Sequence, residues 1–189
     1  GENAAGGSGI TPDMAEELFS YGIDVITTGN HIWDKKEIIP YLETEERIIR
    51  PANYPPGTPG RGFIVITVNR NTRVGIINLS GRVFLGNLDC PFRKADVLVE
   101  QIKQQSPVVI VDFHAEATSE KQAFGWYLDG RATAVIGTHT HTQTADERIL
   151  PHDTAFITDV GMTGPRDSVL GVKTDLVISR FLTQLPNRF

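Results

Sequence analysis

Residues 27–34 read TTGNHIWD, so an apolar run over residues 23–26 leads into a glycine, an amide and an imidazole, with Asn30 and His31 side by side. The arrangement recurs. The run at 108–113 ends in His114, within VDFHAE, and the run at 134–136 leads into VIGTHTHTQ, which carries His139 and His141. Four of the five histidines therefore follow short apolar runs of the kind that form buried strands. The fifth, His152, sits in the turn-like LPHDT and is expected at the surface. Imidazole and carboxylate suit zinc, manganese and iron. Histidines at positions i and i+2 of a loop can reach two adjacent cations, and a carboxylate must then bridge those ions against their repulsion. Glu2, in the opening GEN, is the candidate bridge. Each residue alone has a plainer explanation. Asn30 can cap a helix, a strand-end histidine can bond locally, and HTH can be a polar loop. Together, four histidines after three strands are hard to place by chance.

The elements that must position these residues are readable in outline. TPDMAEELFSYG has Thr11 as N-cap, Pro12 at the first helical position, Met14, Leu18 and Tyr21 at helical spacing, and Gly22 as terminator. DKKEIIPYL is a second helix, capped by Asp34 and disturbed by Pro40. PANYPPGTPGRG is loop. FIVITV and VGIINL, joined by NRNT, form a β-hairpin. CPFRKADVLVEQIKQQ is a helix with Ala95, Leu98 and Ile102 on one face. TSEKQAFGWYLDG is another, with a capping box at Ser119 and Gln122 and an apolar stripe of Phe124 and Leu128. PVVIVDF, ATAVIG and TAFITDV are strands, and TDLVISRFLTQL is a closing helix. Alternating strands and helices give the α/β class, with antiparallel pairing at the hairpin. In such sheets ligands collect at the carboxyl ends of the strands, where histidines far apart in sequence can converge.

The 189 residues suffice for one sizeable domain with a core of its own. A net charge of −5 argues against a broad nucleic-acid or anionic-membrane surface. Cys90 is the single cysteine, so an internal disulfide is excluded and a cytoplasmic location is expected. No apolar run approaches the ~20 residues of a membrane helix. The glycine-rich start, GENAAGGSG, without a methionine, reads as the start of a fragment.

GEN, TTGNHIWD, DFHAEATSEK, GTHTH and TDVGMTGPRDSVLGV together resemble the YmdB-like phosphodiesterase subfamily of the calcineurin-type metallophosphoesterases, along essentially the whole chain. GEN stands where that broader pattern has Gly-Asp, and GTHTH carries one residue between the glycine and the first histidine. The resemblance implies a sandwich of mixed β-sheets flanked by helices, and a single metallophosphoesterase domain over residues 1–189, truncated at both ends. The family's first strand, with its metal-binding aspartate, and its closing strands would lie outside the chain. It implies two divalent or trivalent metal ions, Fe, Mn or Zn. Glu2 would bridge them, Asn30, His114 and His139 would complete one, His141 with Asn3 beside it would serve the other, and His31 would face the substrate as proton donor. Residues 1–189 by themselves are then expected to bind at most one metal well and to show little turnover.

The implied activity is metal-dependent hydrolysis of cyclic nucleotides, of the 2′,3′-cyclic type, by attack of a metal-bridging hydroxide with a histidine as general acid. The implied partner is a small phosphodiester or nucleotide; homo-oligomerisation stays open. Two alternatives also stay open: a phosphomonoesterase or nucleotide hydrolase, and a metal-binding regulatory module without turnover. No substrate-binding residue is assigned. Arg82 and Arg166 could clamp phosphate, but surface solvation explains them as well. Asp112, two residues before His114, shares its side of the strand and could orient it. Trp33 is expected to pack behind the site.

Overall fold

The computed structural model describes residues 1–69 and 71–186. Arg70, in the expected hairpin turn, and residues 187–189, in the expected chain end LPNRF, lie outside the described residues. In chain order the elements are α1 (Pro12–Ser20), β1 (Ile26–Thr27), α2 (Ile38–Tyr41), β2 (Ile48–Ile49), β3 (Phe63–Asn69), β4 (Thr72–Ser80), α3 (Pro91–Lys103), β5 (Val108–His114), α4 (Thr118–Tyr127), β6 (Ala134–Thr138), β7 (Arg148–Ile149), β8 (Ala155–Ile157) and α5 (Thr174–Thr183). A six-stranded mixed sheet runs β3-β4-β5-β6-β8-β7, and β1 pairs with β2 in a separate parallel ribbon. β4, β5, β6 and β8 are mutually parallel, so their carboxyl ends share one edge. β3 and β7 run antiparallel at the two flanks.

Side-chain alternation sorts the large sheet into two faces. Ile77 and Leu79 of β4 and Val109, Val111 and Phe113 of β5 enter the main core, which they share with Ala95, Leu98, Val99 and Ile102 of α3 and Phe124 of α4. Phe113 stacks on Phe124 with centroids 4.0 Å apart, and both are fully buried. Burying each such side chain contributes about 1.5–3 kcal/mol. The intervening residues Asn78, Asp112 and His114 occupy the opposite face. There Asn78 Nδ2 donates to the carbonyls of Thr28 (2.8 Å) and Ile49 (3.1 Å), tying the ribbon layer to the sheet. The ribbon has its own core of Ile10, Ala15, Ile26, Ile32, Ile38 and Ile48, with Met14 and Leu18 of α1 against it. Two β layers with helices outside them are the sandwich of mixed sheets implied by the sequence.

Several local expectations change. Thr11 does cap α1, accepting from the Met14 N–H, but Tyr21 points away from the core and is 72% exposed. The strand expected over residues 23–26 shrinks to Ile26–Thr27, because its only partner is the two-residue β2. α2 begins only at Ile38 and has no side-chain cap, so the expected cap Asp34 lies three residues before the cap position Glu37, where its carboxylate is engaged by His31 and Ser8. α4 starts at Thr118 after Ala117 and shows no capping bond from Ser119. α5 buries none of its residues. Among the described residues no helix is long and apolar enough to cross a membrane.

Candidate metal centre

β5 ends at His114, whose sheet partner on β6 is Thr138. The next residue, His139, and then His141 lie in the loop that leaves β6. On the facing layer, Gly29 and Asn30 follow β1, and the Gly1 amine donates to the Thr27 carbonyl (2.9 Å), which sets Glu2 beside them. The groups meet at the seam between the layers. His114 Nε2 lies 2.9 Å from Asn30 Oδ1, 2.9 Å from Glu2 Oε1 and 3.1 Å from His139 Nδ1. Asn3 Nδ2 donates to His141 Nε2 (3.3 Å) and, at 3.4 Å, to Glu2 Oε2. Glu2, Asn3, Asn30, His114, His139 and His141 thus form one connected cluster, and donor atoms of Glu2, His114 and His139 all lie within 4.8 Å of one another.

The protons can be placed. Thr138 Oγ1 gives its single proton to Asp112 Oδ1 (2.7 Å), so the 3.1 Å approach of His114 Nδ1 to the same hydroxyl must be an N–H donation. Neutral His114 then turns a bare Nε2 lone pair toward the cluster. His139 Nε2 stands 3.0 Å from Glu116 Oε2, and its Nδ1 faces the bare His114 Nε2 at 3.1 Å. Burial first, then the neighbouring His114, holds the His139 imidazole below its ordinary value, against the pull of Glu2 and Glu116. Burial would raise the Glu2 carboxyl, but the surrounding imidazoles, His114 first and then His31 and His139, keep the group low. The close Glu2–His114 approach is off the axis of a ring N–H, and Glu2 Oε1 has no satisfied hydrogen bond despite being buried. With His114 in the tautomer that Thr138 dictates, geometry favours an oxygen awaiting a cation over an ion pair. Two imidazole nitrogens, an amide oxygen and a carboxylate oxygen converge. That donor set fits a borderline cation such as Zn, Mn or Fe.

The backbone is shaped for this convergence. A Cβ on Gly29 would overlap His114 Nε2 and stand 2.5 Å from Glu2 Oε1, so only glycine precedes Asn30 without displacing the cluster. His139 (φ 105°) and His141 (φ 65°) both adopt left-handed backbone, at roughly 1–3 kcal/mol each. His31 stays outside the cluster: its side chain is 42% exposed, and Nδ1 donates to Asp34 Oδ2 (2.8 Å). Trp33 packs edge-on against Tyr54 (5.5 Å), as expected for a residue behind the site. Arg82 is fixed through its backbone N–H, which donates to Glu120. His152, expected at the surface, is exposed and donates to Asp129.

Sequence reasoning missed Glu116, Thr138 and Gly29. Glu116 and Thr138 adjoin singled-out histidines, and carboxylates or hydroxyls next to ligand histidines are the signal for outer partners. Gly29 stood in the quoted GNH, where close backbone approach is the reason for a glycine.

Residues 1–189 match the family described as YmdB-like protein. Over 189 residues the chain is 55% identical to the 2′,3′-cyclic-nucleotide 2′-phosphodiesterase of Bacillus subtilis (strain 168), covering 100% of this chain and 71% of that one. A crystal structure of a hypothetical protein from Thermus thermophilus superposes with a TM-score of 0.92 at 46% identity, covering 100% of this chain and 73% of the other. A crystal structure of a novel phosphatase from Mycoplasma pneumoniae gives 0.89 at 36% identity, covering 100% and 68%. By sequence along its whole length and by fold, the chain belongs to the YmdB-like protein family.

Proposed function

We propose that the protein is a metal-dependent phosphodiesterase that opens cyclic nucleotides, of the 2′,3′-cyclic type, with residues 1–189 acting as one domain. The observation that carries this is the convergence of His114 Nε2, His139 Nδ1, Asn30 Oδ1 and Glu2 Oε1; the substrate class rests on the name of the 55% identical relative. Glu2, Asn30, His114 and His139 would hold one ion, and His141 with Asn3 would serve a second that Glu2 shares. Such cations supply Lewis acidity, making the hydroxide form of water available near neutral pH and offsetting charge on a phosphoryl group.

The protein's own groups do the rest. Asp112, through Thr138, fixes which nitrogen of His114 faces inward, and Glu116 stands 3.0 Å from His139 Nε2. His31, whose Nδ1–H is anchored by Asp34, would in its imidazolium form give its second proton, at Nε2, to the departing alkoxide and be left as the neutral ring. That role suits a phosphodiester, whose leaving oxygen departs poorly unprotonated. A single cysteine and a net charge of −5 support a cytoplasmic enzyme acting on a small phosphodiester rather than on polymeric nucleic acid.

The test is to load the complete protein, with any residues that flank 1–189, with Mn²⁺, Fe²⁺ or Zn²⁺, count ions per chain, and compare turnover of a 2′,3′-cyclic nucleotide with that of a phosphomonoester. Preferential diester hydrolysis is expected. Faster monoester hydrolysis, or bound metal with no turnover of either, overturns the reading.

A further inference from the structure

Lys121 and Asp159 form an ion pair at 2.6 Å in which both side chains are only 1% exposed. The chemistry proposed above does not use them, and a pair this deep is weak evidence for stability, since desolvating both charges offsets much of their attraction. The carboxylate has a second engagement. Asp159 Oδ2 also accepts from the Thr140 N–H (3.1 Å) and the Thr140 hydroxyl (2.8 Å), and Oδ1 accepts from the Gly161 N–H (2.8 Å). Thr140 lies between His139 and His141, both of which have left-handed backbone. Asp159 follows β8, and its own backbone is tied to the same loop through the Thr144 N–H (3.0 Å). Lys121 reaches the carboxylate from α4, the helix after the His114 strand.

We infer that Lys121 and Asp159 are positioning residues that clamp Thr140 and so hold His139 and His141 at the spacing a metal pair requires. The clamp has three anchors: α4, the end of β8 and the loop after β6. Asp159 grips the loop at Thr140, the residue between the two histidines, and Lys121 keeps the buried carboxylate charged and in place. A loop holding two strained ligands would otherwise relax, and metal spacing would relax with it. This inference rests on the metal-centre reading and names residues that the reading does not need.

The test uses the double variant Lys121→Met/Asp159→Leu, which removes both charges without leaving either buried alone. The probe is Mn²⁺ alone, read by competition with a chromophoric chelator and by the electron paramagnetic resonance of the bound ion. Wild-type thermal stability is expected to be largely kept while the Mn²⁺ dissociation constant rises about 10–100-fold and the resonance changes shape. Should the double variant not fold, Thr140→Val leaves the ion pair intact and removes one bond to it, with a rise of roughly fivefold expected. Unchanged affinity and resonance in a folded double variant, or in Thr140→Val where that is the variant read, overturn the clamp. His139→Ala is the control. If it leaves Mn²⁺ binding intact, the metal-centre reading fails and the clamp fails with it; if it abolishes binding while the clamp variants bind normally, only the clamp fails.

Discussion

His31 Nδ1 sits 2.8 Å from Asp34 Oδ2, three residues on in the same turn, and neither side chain is buried. The pair stands beside the ligand cluster without joining it. His31→Ala should therefore keep the full metal content and lose about 10²–10⁴-fold in kcat, most for substrates with poor leaving groups. Metal analysis with a leaving-group series checks this; metal loss in the variant would make His31 a ligand. Asp34→Asn should lose less, about 10-fold, because orientation is weakened and the imidazole remains.

Thr138 transmits the charge of Asp112 to the ring of His114. Thr138→Val removes that link and frees His114 to take the other tautomer. The expected outcome is a 10–100-fold weaker metal affinity with a melting temperature close to wild type, measured by chelator competition and calorimetry. Thr138→Ser, which keeps the hydroxyl, should retain wild-type affinity.

Gly29→Ala puts a methyl group into the space that His114 and Glu2 occupy. Metal binding should drop below detection in a titration while the fold persists, since the two cores on either side of the seam are untouched. Wild-type metal affinity in this variant would mean that the cluster relaxes more easily than its packing indicates.

Asp159 gives a pH dependence of known sign. Burial would raise its carboxyl, but the Lys121 hydrogen bond, the Gly161 N–H and the Thr140 hydroxyl together hold it below the ordinary carboxylate value. A group with a lowered folded value contributes stability that is complete above its unfolded value, about 3.9, and is lost as pH falls through the folded one. The metal-free wild type should lose melting temperature more steeply below about pH 4 than Asp159→Asn does. At neutral pH Asp159→Asn should itself be destabilised by about 3–5 kcal/mol, because Lys121 is left buried and unpaired. Parallel acid titrations of the two proteins would contradict this assignment.

Long amphipathic elements were legible from periodicity. Ala95, Leu98 and Ile102 lie buried on one face of α3, and the β3–β4 hairpin pairs as its two apolar runs and intervening polar turn suggest. The short ribbon was not. β1 and β2 are two residues each, too short to show a period, and only their mutual pairing makes them strands. The α4 capping box misled because SEKQ fits the pattern while the chain enters the helix two residues earlier, with Ala117 as N-cap. For the site, residue type and strand-end position pointed to Asn30, His114, His139 and His141, the last three at one edge because β5 and β6 are parallel, whereas Glu2 was singled out only as the carboxylate that adjacent cations would need. The positioning residues were hidden. Lys121 and Asp159 are 38 positions apart and look in sequence like any helix lysine and loop aspartate; only burial marks them.

Asn78 is where the two layers are sewn together. Besides its two side-chain bonds to the ribbon, its backbone N–H donates to the Gly62 carbonyl (3.0 Å) and its carbonyl accepts from the Ala52 N–H (2.8 Å), while its side-chain Oδ1 is buried without a partner. Glu2 and Asn30 belong to one plate of this joint and His114, His139 and His141 to the other. A cation held between them is then a rivet as well as a reagent. Parting the plates dismantles the site, so by linkage an ion bound only by the closed joint must stiffen it. Amide hydrogens along the seam, such as that of Ala52, should exchange more slowly as the protein is titrated with metal, whereas those of α5, which buries nothing, should not respond.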